Sequence, residues 1–348
     1  MIGRLHAQTI QALAPRAELV AVVDRVSERA TALASEFGVV AETDPAAVLA
    51  RDDIDAVTIC LPSGQHADAA VAALQHGKHV IIEKPIDITL DAARRIRDAE
   101  AGSSATAMVV SQHRHDRASQ VIHAAARAGR FGRITSGSAQ MPWWRSQAYY
   151  DSGDWRGTWA LDGGGALMNQ GHHSIDLLVW FLGEPVEVFA RTNRLAHERI
   201  EVEDVAVATI RFADGALGVV HATTAAYPGL RATVGVYGER GSAVLEDDQL
   251  VYFHAAEGDN PPAYDYGAAG GANQAAKVLP ASTLAPGAPA IAGLATTSHT
   301  AQFIDFLDAV EHGRPPLVTT EEAIRTLAVI RGMYESVRTN ALVRLSEL

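Results

Sequence analysis

The chain has 348 residues, a formal net charge of −12 at pH 7, and 48% hydrophobic against 20% charged residues. This length and composition are typical of a globular protein with room for two domains, each with its own core. The negative charge and the lack of a long lysine or arginine cluster argue against a nucleic-acid or anionic-membrane partner, because both need a positive surface.

The single cysteine, Cys60, excludes an intrachain disulfide and a zinc site built from cysteines, which fits a reducing compartment. Arg4, His6 and Gln8 interrupt the N-terminal segment, which therefore lacks the apolar region of a signal peptide. No apolar run reaches the roughly 20 residues of a membrane span. We therefore expect a cytoplasmic protein that acts on small molecules.

The first predicted helix starts at Ile2 and Gly3 and runs through Leu13, directly ahead of the strand-like "ELVAVVD". This order is typical of the crossover in a dinucleotide-binding βαβ unit. That unit normally opens with a buried strand and a G-x-G-x-x-G turn. Only Gly3 is present here, so the segment is either a nucleotide site without its front half or another kind of helix.

Short apolar runs alternate with helical patterns from Gly3 to about Val110. The predicted strands lie at 19–23, 56–61 and 79–83, and the predicted helices lie near Glu28 to Phe37 and His66 to His76. Gly38 and Gly77 stand where helix C-caps are expected. Continuous hydrophobicity is typical of strands covered on both faces. The first domain is therefore predicted to be a doubly wound α/β domain with a parallel sheet.

After about Arg133 the pattern becomes rich in β-strand residues. Two such runs flank Asp214 and Gly215, which is a strong hairpin signal, and further strands are predicted at "RATVGVYG", "SAVLE" and "LVYF". The second domain is thus predicted to hold a mostly antiparallel sheet. A segment at about 255–289, rich in alanine, glycine and proline, is predicted to be a long loop or partly disordered. Helical patterns at 299–313 and 321–336 close the chain.

Asp24 ends the strand "LVAVVD", about 20 residues after Gly3, where the acid that binds an adenosine ribose is expected. A carboxylate there accepts from the ribose 2′-hydroxyl and repels a 2′-phosphate, which favours NAD over NADP. Arg25 beside it weakens that preference. The alternative is a loop aspartate that caps the next helix.

Lys84 follows a buried predicted strand and precedes Pro85. It is therefore expected at the carboxyl end of the sheet, where open α/β folds bind ligands. Its charge could polarise a substrate hydroxyl or carbonyl. The alternative is a solvated lysine at a turn.

The stretch "DGGGALMNQGHHSIDLLVWFLG" places Asn169, His173 and Asp176 at i, i+4 and i+7, which predicts one face of a helix. An apolar stripe lies beside them, so the helix is predicted to line a cleft with His173 as an acid or base. The alternative is a half-exposed helix with incidental histidines. We predict no metal, because the adjacent His172 and His173 point about 100° apart and rarely bind one ion together.

These features, in this order, resemble the Gfo/Idh/MocA family of NAD(P)-dependent oxidoreductases over nearly the whole chain. The matching stretches are "IGRLHA" (2–7), "VVDR" (22–25), "LPSGQHADAAVAALQHGKHVIIEKP" (61–85), "WRGTW" (155–159) and "DGGGALMNQGHHSID" (162–176). The resemblance implies an N-terminal Rossmann domain at 1–116 and a C-terminal α+β domain with an open, mostly antiparallel sheet at 117–348.

By the same resemblance, Lys84 and His173 are the expected catalytic residues. The implied cofactor-binding residues are Ile2, Gly3, Asp24, Arg25, Pro62, His66, Glu83, Lys84, Trp155 and Arg156, and the implied substrate residues are Lys84, Tyr150, Asn169 and His173. Tyr150 lies in "RSQAYYDSGDWRGTW", our candidate for a substrate-facing loop. Asn169 stands where many polyol-oxidising members have an aspartate, which places a proton-relay dyad with His173 in doubt, and "LMNQ" resembles branches that act on sugars and nucleotide-linked sugars.

The implied function is hydride transfer between NAD, or NADP, and a sugar, nucleotide sugar or cyclitol. Two alternatives remain: a glycosidase or lyase that works through transient oxidation by bound NAD, and a non-catalytic sensor of NAD or sugar. An exposed sheet face would favour a homo-oligomer, either a dimer or a tetramer. Within this family Gly3 matches the third fingerprint glycine, so we expect Met1 to be a misassigned start with roughly a dozen residues upstream, enough for a strand and the turn.

Overall fold

The computed structural model describes residues 2–258, 272–280 and 297–348. The helices are α1 (Ile2–Ala12), α2 (Ser27–Phe37), α3 (Pro45–Leu49), α4 (His66–Gln75), α5 (Leu90–Ala101), α6 (Arg117–Arg127), α7 (Gln147–Tyr150), α8 (His172–Leu182), α9 (Ala275–Val278), α10 (Thr297–His312) and α11 (Thr320–Thr339). The strands are β1 (Ala21–Val23), β2 (Val40–Glu42), β3 (Ala56–Ile59), β4 (His79–Ile82), β5 (Ala107–Val109), β6 (Ile134–Pro142), β7 (Pro185–Asn193), β8 (Val205–Phe212), β9 (Leu217–Thr223), β10 (Thr233–Gly238), β11 (Gly241–Glu246), β12 (Gln249–Ala255) and β13 (Val343–Arg344).

The described residues divide into two compact units, 2–112 with 297–324, and 113–258 with 272–280 and 325–348. The sequence predicted a domain boundary between residues 116 and 117. That prediction placed residues 297–324 in the second domain. These residues belong to the first unit because α10 packs there. Its Phe303 and Phe306 are buried with Ile81, Met108 and Val110.

The strand pairs among the described residues of the first unit are all parallel. β1 pairs with β2, and β4 lies between β3 and β5. Val80, Ile81 and Ile82 of β4 are buried on both faces of the strand, as their continuous hydrophobicity predicted. Among the described residues, the two sheets share no strand pairing, and the strand expected upstream of Met1 stays a prediction. The parallel α/β class predicted for this domain is confirmed.

Glycines end two helices of the first unit. Gly38 follows α2 with a φ angle of 70°, and Gly77 follows α4 with a φ angle of 71°. Left-handed backbone of this kind favours glycine because it lacks a Cβ atom. Both predicted helix ends are therefore present.

The second unit is built on an eight-stranded sheet of order β12-β11-β10-β6-β9-β8-β7-β13. β6 and β9 run parallel, and the other neighbours are antiparallel. β8 and β9 form the hairpin predicted around Asp214 and Gly215, so the mostly antiparallel class is confirmed. Strands β6 and β7 were not predicted individually.

Helix α8 covers one face of this sheet at β6 and β10. A Cβ atom at Gly137 of β6 would lie 2.8 Å from a methyl group of Leu178 and 2.9 Å from one of Leu182. The absence of a side chain at Gly137 thus lets α8 approach the sheet closely. The opposite face carries partly exposed apolar side chains at Val207, Leu217, Val219 and Tyr237.

The predicted loop at 255–289 falls partly outside the described residues, which omit 259–271 and 281–296. The described part between them contains the short helix α9 rather than loop alone. Asn273 Nδ2 donates to Val251 O at 2.8 Å, which holds this piece to β12. None of the described helices combines the length and apolar character needed to cross a bilayer.

Candidate active-site residues

Asp24 and Arg25 directly follow β1 at its carboxyl end. Asp24 Oδ1 accepts a hydrogen bond from Val26 N at 2.8 Å, so the carboxylate uses one of its oxygens in a local turn at the start of α2. Arg25 Nη2 donates to Gln65 Oε1 at 2.9 Å. This bond connects the end of β1 to the turn at 62–66, and both are predicted cofactor-binding segments.

Glu83 is buried at the end of β4 and pairs with a histidine of the first helix. His6 Nε2 lies 2.9 Å from Glu83 Oε1, and the His6 ring meets Phe303 edge-on at 5.1 Å. Burial lowers the pKa of His6, but its hydrogen bonds to Cys60 and Glu83 outweigh burial and raise the pKa to about 10. Burial raises the pKa of Glu83, but His6 brings it below its usual value. The pair is therefore ionic, and it fixes α1 beside the predicted catalytic lysine.

Lys84 follows Glu83 directly and is half-buried. The backbone N–H of Lys84 donates to Glu83 Oε2 at 3.1 Å. The predicted cofactor residue His66 is only 1% exposed. Its Nδ1 lies 2.8 Å from Pro85 O and its Nε2 lies 2.9 Å from Leu61 O. His66 therefore ties together the loops that follow β3 and β4.

Pro62, Ile2 and Gly3 complete the predicted cofactor residues of this unit. Pro62 precedes the 3₁₀ turn Ser63–Gln65. Ile2 and Gly3 form the first turn of α1, and a Cβ atom at Gly3 would lie 3.7 Å from Cys60 Cβ. That distance is an ordinary contact, so Gly3 places the start of α1 beside the end of β3 without being sterically required there.

In the second unit, a buried carboxylate holds the glycine-rich turn ahead of α8. Glu203 accepts hydrogen bonds from the N–H groups of Gly165 and Leu167 and from the Tyr334 hydroxyl, at 2.9 to 3.0 Å. A Cβ atom at Gly165 would lie 1.8 Å from Glu203 O, so only glycine fits there. Sequence reasoning missed Glu203, because its partners lie 36 or more residues away along the chain.

Burial raises the pKa of Glu203 to about 7, and its hydrogen bonds only partly oppose this. An unfolded glutamate has a pKa of about 4.3, so the folded chain binds more protons than the unfolded chain between these values. The contribution of Glu203 to stability is complete below about pH 4.3 and is lost as the pH rises through about 7. We expect the melting temperature of wild type, relative to Glu203→Gln, to fall by at least about 2 °C from pH 5 to pH 8. Calorimetry of both proteins across this pH range measures the difference in melting temperature. A difference that does not change with pH would contradict the expectation.

The predicted helix face of Asn169, His173 and Asp176 is wrong. Ala166–Gln170 forms a π-helical turn, and α8 begins only at His172. A π turn contains one residue more than an α turn, so the residues after it lie one position out of register with an unbroken α-helix. Asn169 instead donates from Nδ2 to Asp162 Oδ1 at 2.8 Å. Gln170 and His173 both line the cavity described below.

Asp176 does not line a cleft, because it is buried against Arg114. Arg114 donates from Nε and Nη2 to the two carboxylate oxygens at 2.8 and 2.7 Å. The Thr326 hydroxyl donates to Asp176 Oδ1 at 2.8 Å, and the guanidinium lies over the Trp180 ring at 5.3 Å. This bidentate pair fixes α8 and, with it, the position of His173.

His173 lines a cavity of about 220 Å³ within the second unit. Gln170, His173, Ser174 and Leu177 line it at the i, i+3, i+4, i+7 spacing, together with Trp143 and other side chains. The His173 ring also meets the His113 ring edge-on at 4.9 Å. The predicted acid or base is thus placed where a small polar ligand can reach it.

His113, beside this cavity, is held between two carboxylates. Its Nδ1 lies 2.9 Å from Asp116 Oδ2 and 3.0 Å from Asp248 Oδ1. Burial lowers the pKa of His113, but these two bonds outweigh it and raise the pKa to about 10. A ring nitrogen of His113 and one carboxylate oxygen each of Asp116 and Asp248, all atoms of the kind that bind metal ions, lie within 4.8 Å of one another. The arrangement is that of an imidazolium held between two carboxylates.

Trp155 and Arg156, predicted to bind cofactor, belong to a cluster of arginines and aromatic rings. The guanidinium of Arg156 lies 4.5 Å from the ring centroids of Trp155 and of Tyr149, and its Nη1 donates to the Tyr149 hydroxyl at 2.8 Å. The predicted substrate residue Tyr150 is buried, with its hydroxyl 2.8 Å from Thr224 Oγ1. Tyr149, which sequence reasoning did not single out, is the tyrosine of this loop whose hydroxyl contacts Arg156.

Family models match most of both units. Residues 1–111 match a model described as the oxidoreductase family with an NAD-binding Rossmann fold. Residues 119–244 match a model of the GFO/IDH/MocA C-terminal domain.

Known proteins resemble the chain in sequence and in structure. Inositol 2-dehydrogenase of Rhizobium meliloti is 29% identical over 278 residues, which cover 76% of this chain and 79% of that protein. Levoglucosan dehydrogenase of Pseudarthrobacter phenanthrenivorans is 29% identical over 69% of this chain and 71% of its own length. The WlbA dehydrogenase of Bordetella pertussis, solved in complex with NADH and UDP-GlcNAcA, superimposes with a TM-score of 0.83 at 29% identity, over 99% of this chain and 95% of that one.

Proposed function

The chain belongs to the GFO/IDH/MocA family of NAD-binding oxidoreductases, and from this premise we propose that it is an NAD-dependent dehydrogenase of a sugar, nucleotide sugar or cyclitol. The observation that carries the proposal is His173 in a cavity of about 220 Å³ lined by the polar side chains of Gln170 and Ser174. The dehydrogenases of inositol, levoglucosan and a nucleotide sugar named above support the substrate class.

We propose that the dinucleotide binds at the carboxyl ends of the strands of the first unit. We propose that Asp24 binds the adenosine ribose, that Arg25 and the 62–66 turn contact the rest of the cofactor, and that Ile2 and Gly3 approach it from α1. Glu83 and His66 then act as supports, because their side chains are buried and bonded to His6 and to backbone carbonyls. When bound, NAD supplies the hydride-transfer chemistry.

Two side chains carry the proposed proton chemistry. His173 takes the proton from the substrate hydroxyl during oxidation, or returns it during reduction. The ammonium group of Lys84 hydrogen-bonds to the reacting oxygen and stabilises the negative charge that develops on it. Asn169 is a positioning residue, because its amide is bonded to the buried Asp162.

Asp24 is expected to make NAD the preferred cofactor. Replacing Asp24 by serine removes the carboxylate that accepts a hydrogen bond from the ribose, and it also removes the charge that repels a 2′-phosphate. Asp24→Ser should therefore lower the ratio of kcat/KM with NAD to kcat/KM with NADP by about 10-fold or more. Initial rates with each cofactor measure this.

Asp44→Ser is the matched control for Asp24. Its Oδ1 also accepts from a backbone N–H two residues on, at 2.9 Å, but it follows β2. An equal loss of preference in both variants would contradict the role of Asp24.

The proposed function is tested by screening the purified chain against sugars, inositols and nucleotide sugars with NAD and with NADP, following absorbance of the reduced nicotinamide. Net NADH accumulation with one substrate supports the dehydrogenase. Product formation without net NADH would favour a glycosidase or lyase that uses NAD transiently. Binding of NAD or sugar without turnover of any compound would favour a sensor.

We also propose that the chain is a cytoplasmic homo-oligomer. Val207, Leu217 and Val219 are each at least half-exposed on one sheet face, and neighbouring exposed apolar residues are typical of interfaces. Light scattering should give a dimer or tetramer. Val219→Glu should shift the measured mass toward that of a monomer, whereas Val251→Glu, on the edge strand β12, should not. A monomeric wild type would contradict the proposal.

A further inference from the structure

Two arginines of the second unit are held by aromatic rings rather than by acids. The guanidinium of Arg145 lies 5.3 Å from the Trp143 ring and 5.2 Å from the Tyr149 ring. Arg156 lies 4.5 Å from the rings of Tyr149 and Trp155. Within the described part of the chain, neither guanidinium forms an ion pair, and the buried Nε of each has no hydrogen-bond partner.

Other arginines of this chain, which has a net charge of −12, form ion pairs with acids. Arg199, for example, pairs with Asp151 of the neighbouring loop at 2.7 Å. Two positive groups around one tyrosine ring repel each other, and a buried N–H donor without an acceptor costs free energy. An anion bound beside the two guanidinium groups would offset the repulsion between them.

The cluster is connected to the cavity of His173. The Tyr149 hydroxyl accepts hydrogen bonds from Arg156 Nη1 at 2.8 Å and from Gln170 Nε2 at 3.0 Å. Gln170 and Trp143 both line that cavity. Gln170 Oε1 is buried without a partner among the described residues. Arg145 is therefore linked to the cavity through the Trp143 ring, and Arg156 is linked to it through Tyr149 and Gln170.

The carboxylates of the same cavity already have positive or N–H partners. Asp248 pairs with His113 at 3.0 Å. Asp247 accepts from Ala232 N at 3.0 Å and lies 3.7 Å from Arg231 Nε. These acids are thus compensated locally, and the positive charge of Arg145 and Arg156 remains for a ligand.

We propose that the substrate is an anionic sugar whose carboxylate or phosphate is bound by Arg145 and Arg156. The inference rests on the proposed dehydrogenase function and specifies its substrate class. A guanidinium offers paired N–H donors that match the oxygens of either anion, and stacking on a ring fixes its orientation before binding. An open groove of about 780 Å³ shares Trp143 and Asp247 with the cavity, which leaves room for a substituent beyond the sugar ring.

The test is equilibrium binding of matched neutral and anionic sugars to the full chain with NADH. The probes are glucose, glucuronate and glucose 1-phosphate, and the corresponding galactose series. We expect an anionic member to bind at least about 10-fold more tightly than its neutral counterpart. In wild type, raising NaCl from about 0.05 to 0.5 M should weaken the anionic member only.

Arg145→Met and Arg156→Met should each lose at least about 10-fold in affinity for the anionic sugar, with affinity for neutral sugars unchanged, and Arg145→Met should also leave NADH affinity unchanged. Arg145→Lys keeps the charge and should retain part of the preference. Arg191→Met is the control, because Arg191 also lies over a ring, that of Phe189 at 4.9 Å, on β7. Arg191→Met should change the affinity for neither anionic sugars, neutral sugars nor NADH.

Equal binding of neutral and anionic sugars by wild type would overturn the proposal. Weaker NADH binding by the arginine variants, with sugar binding intact, would also overturn it and assign the cluster to the cofactor. Because binding needs no turnover, charge preference without any NADH production would count against the dehydrogenase and leave the anion site standing.

Discussion

Replacing His173 by glutamine is expected to lower kcat by about 10² to 10⁴-fold, because general acid-base catalysis contributes in that range. Lys84→Met is expected to do the same, since it removes the charge that stabilises the reacting oxygen. NAD affinity should stay within a few-fold of wild type for His173→Gln. Steady-state rates on the best substrate of the screen, with NAD binding followed by fluorescence, measure both effects.

Two controls separate chemistry from folding. Lys78→Met removes another lysine of the first unit, whose Nζ donates to Arg51 O at 2.7 Å. His254→Gln removes a histidine of β12 that bonds to Ala272 O. Neither should change kcat by more than about 2-fold, because neither lies at the proposed site. If His173→Gln were as active as His254→Gln, the assignment of the acid or base would be wrong.

Replacing Asp176 by asparagine is expected to destabilise the second unit by about 3 to 5 kcal/mol, because a buried guanidinium would lose its counter-charge. Arg114 and Asp176 expose only 1% and 3% of their side chains, so water cannot replace the lost partner. Urea unfolding of the full chain, followed by tryptophan fluorescence, measures the change. The variant Arg114→Met with Asp176→Leu should recover much of the loss, because it removes both charges together.

The matched control is the pair of Arg211 and Glu187, which meet at the same 2.7 Å distance between neighbouring strands. The guanidinium there is 47% exposed, so water solvates it when Glu187→Gln removes the carboxylate. We expect a far smaller change than for Asp176→Asn. Similar losses at both pairs would contradict the argument from burial.

Much of the first unit was predictable because local patterns determine it. Apolar runs covered on both faces predicted β1, β3 and β4, and their ends place Asp24 and Lys84 where ligands bind in open sheets. The buried pair of His6 and Glu83 was not predicted. It joins residues 77 positions apart in the chain, and no local spacing encodes such a contact.

In the second unit, sequence spacing identified His173 but assigned it the wrong neighbours. The 3.6-residue period assumes an unbroken α-helix, and the π turn at Ala166–Gln170 breaks that assumption. Gln170, rather than Asn169, lines the cavity with His173. The stacking of Arg145 and Arg156 on Tyr149 was not visible either, because cation-π contacts in an irregular loop follow no period.

The π turn also bears on how the specificity of such a protein can change during evolution. A substitution in Ala166–Gln170 alters one side chain, but deletion of one residue there would rotate each later position of α8 by about 100° relative to the turn. Such a deletion would present a different set of side chains to the ligand in one mutational step. Length variation at this turn is therefore a better guide to divergence of substrate among relatives than the identity of any single cavity residue.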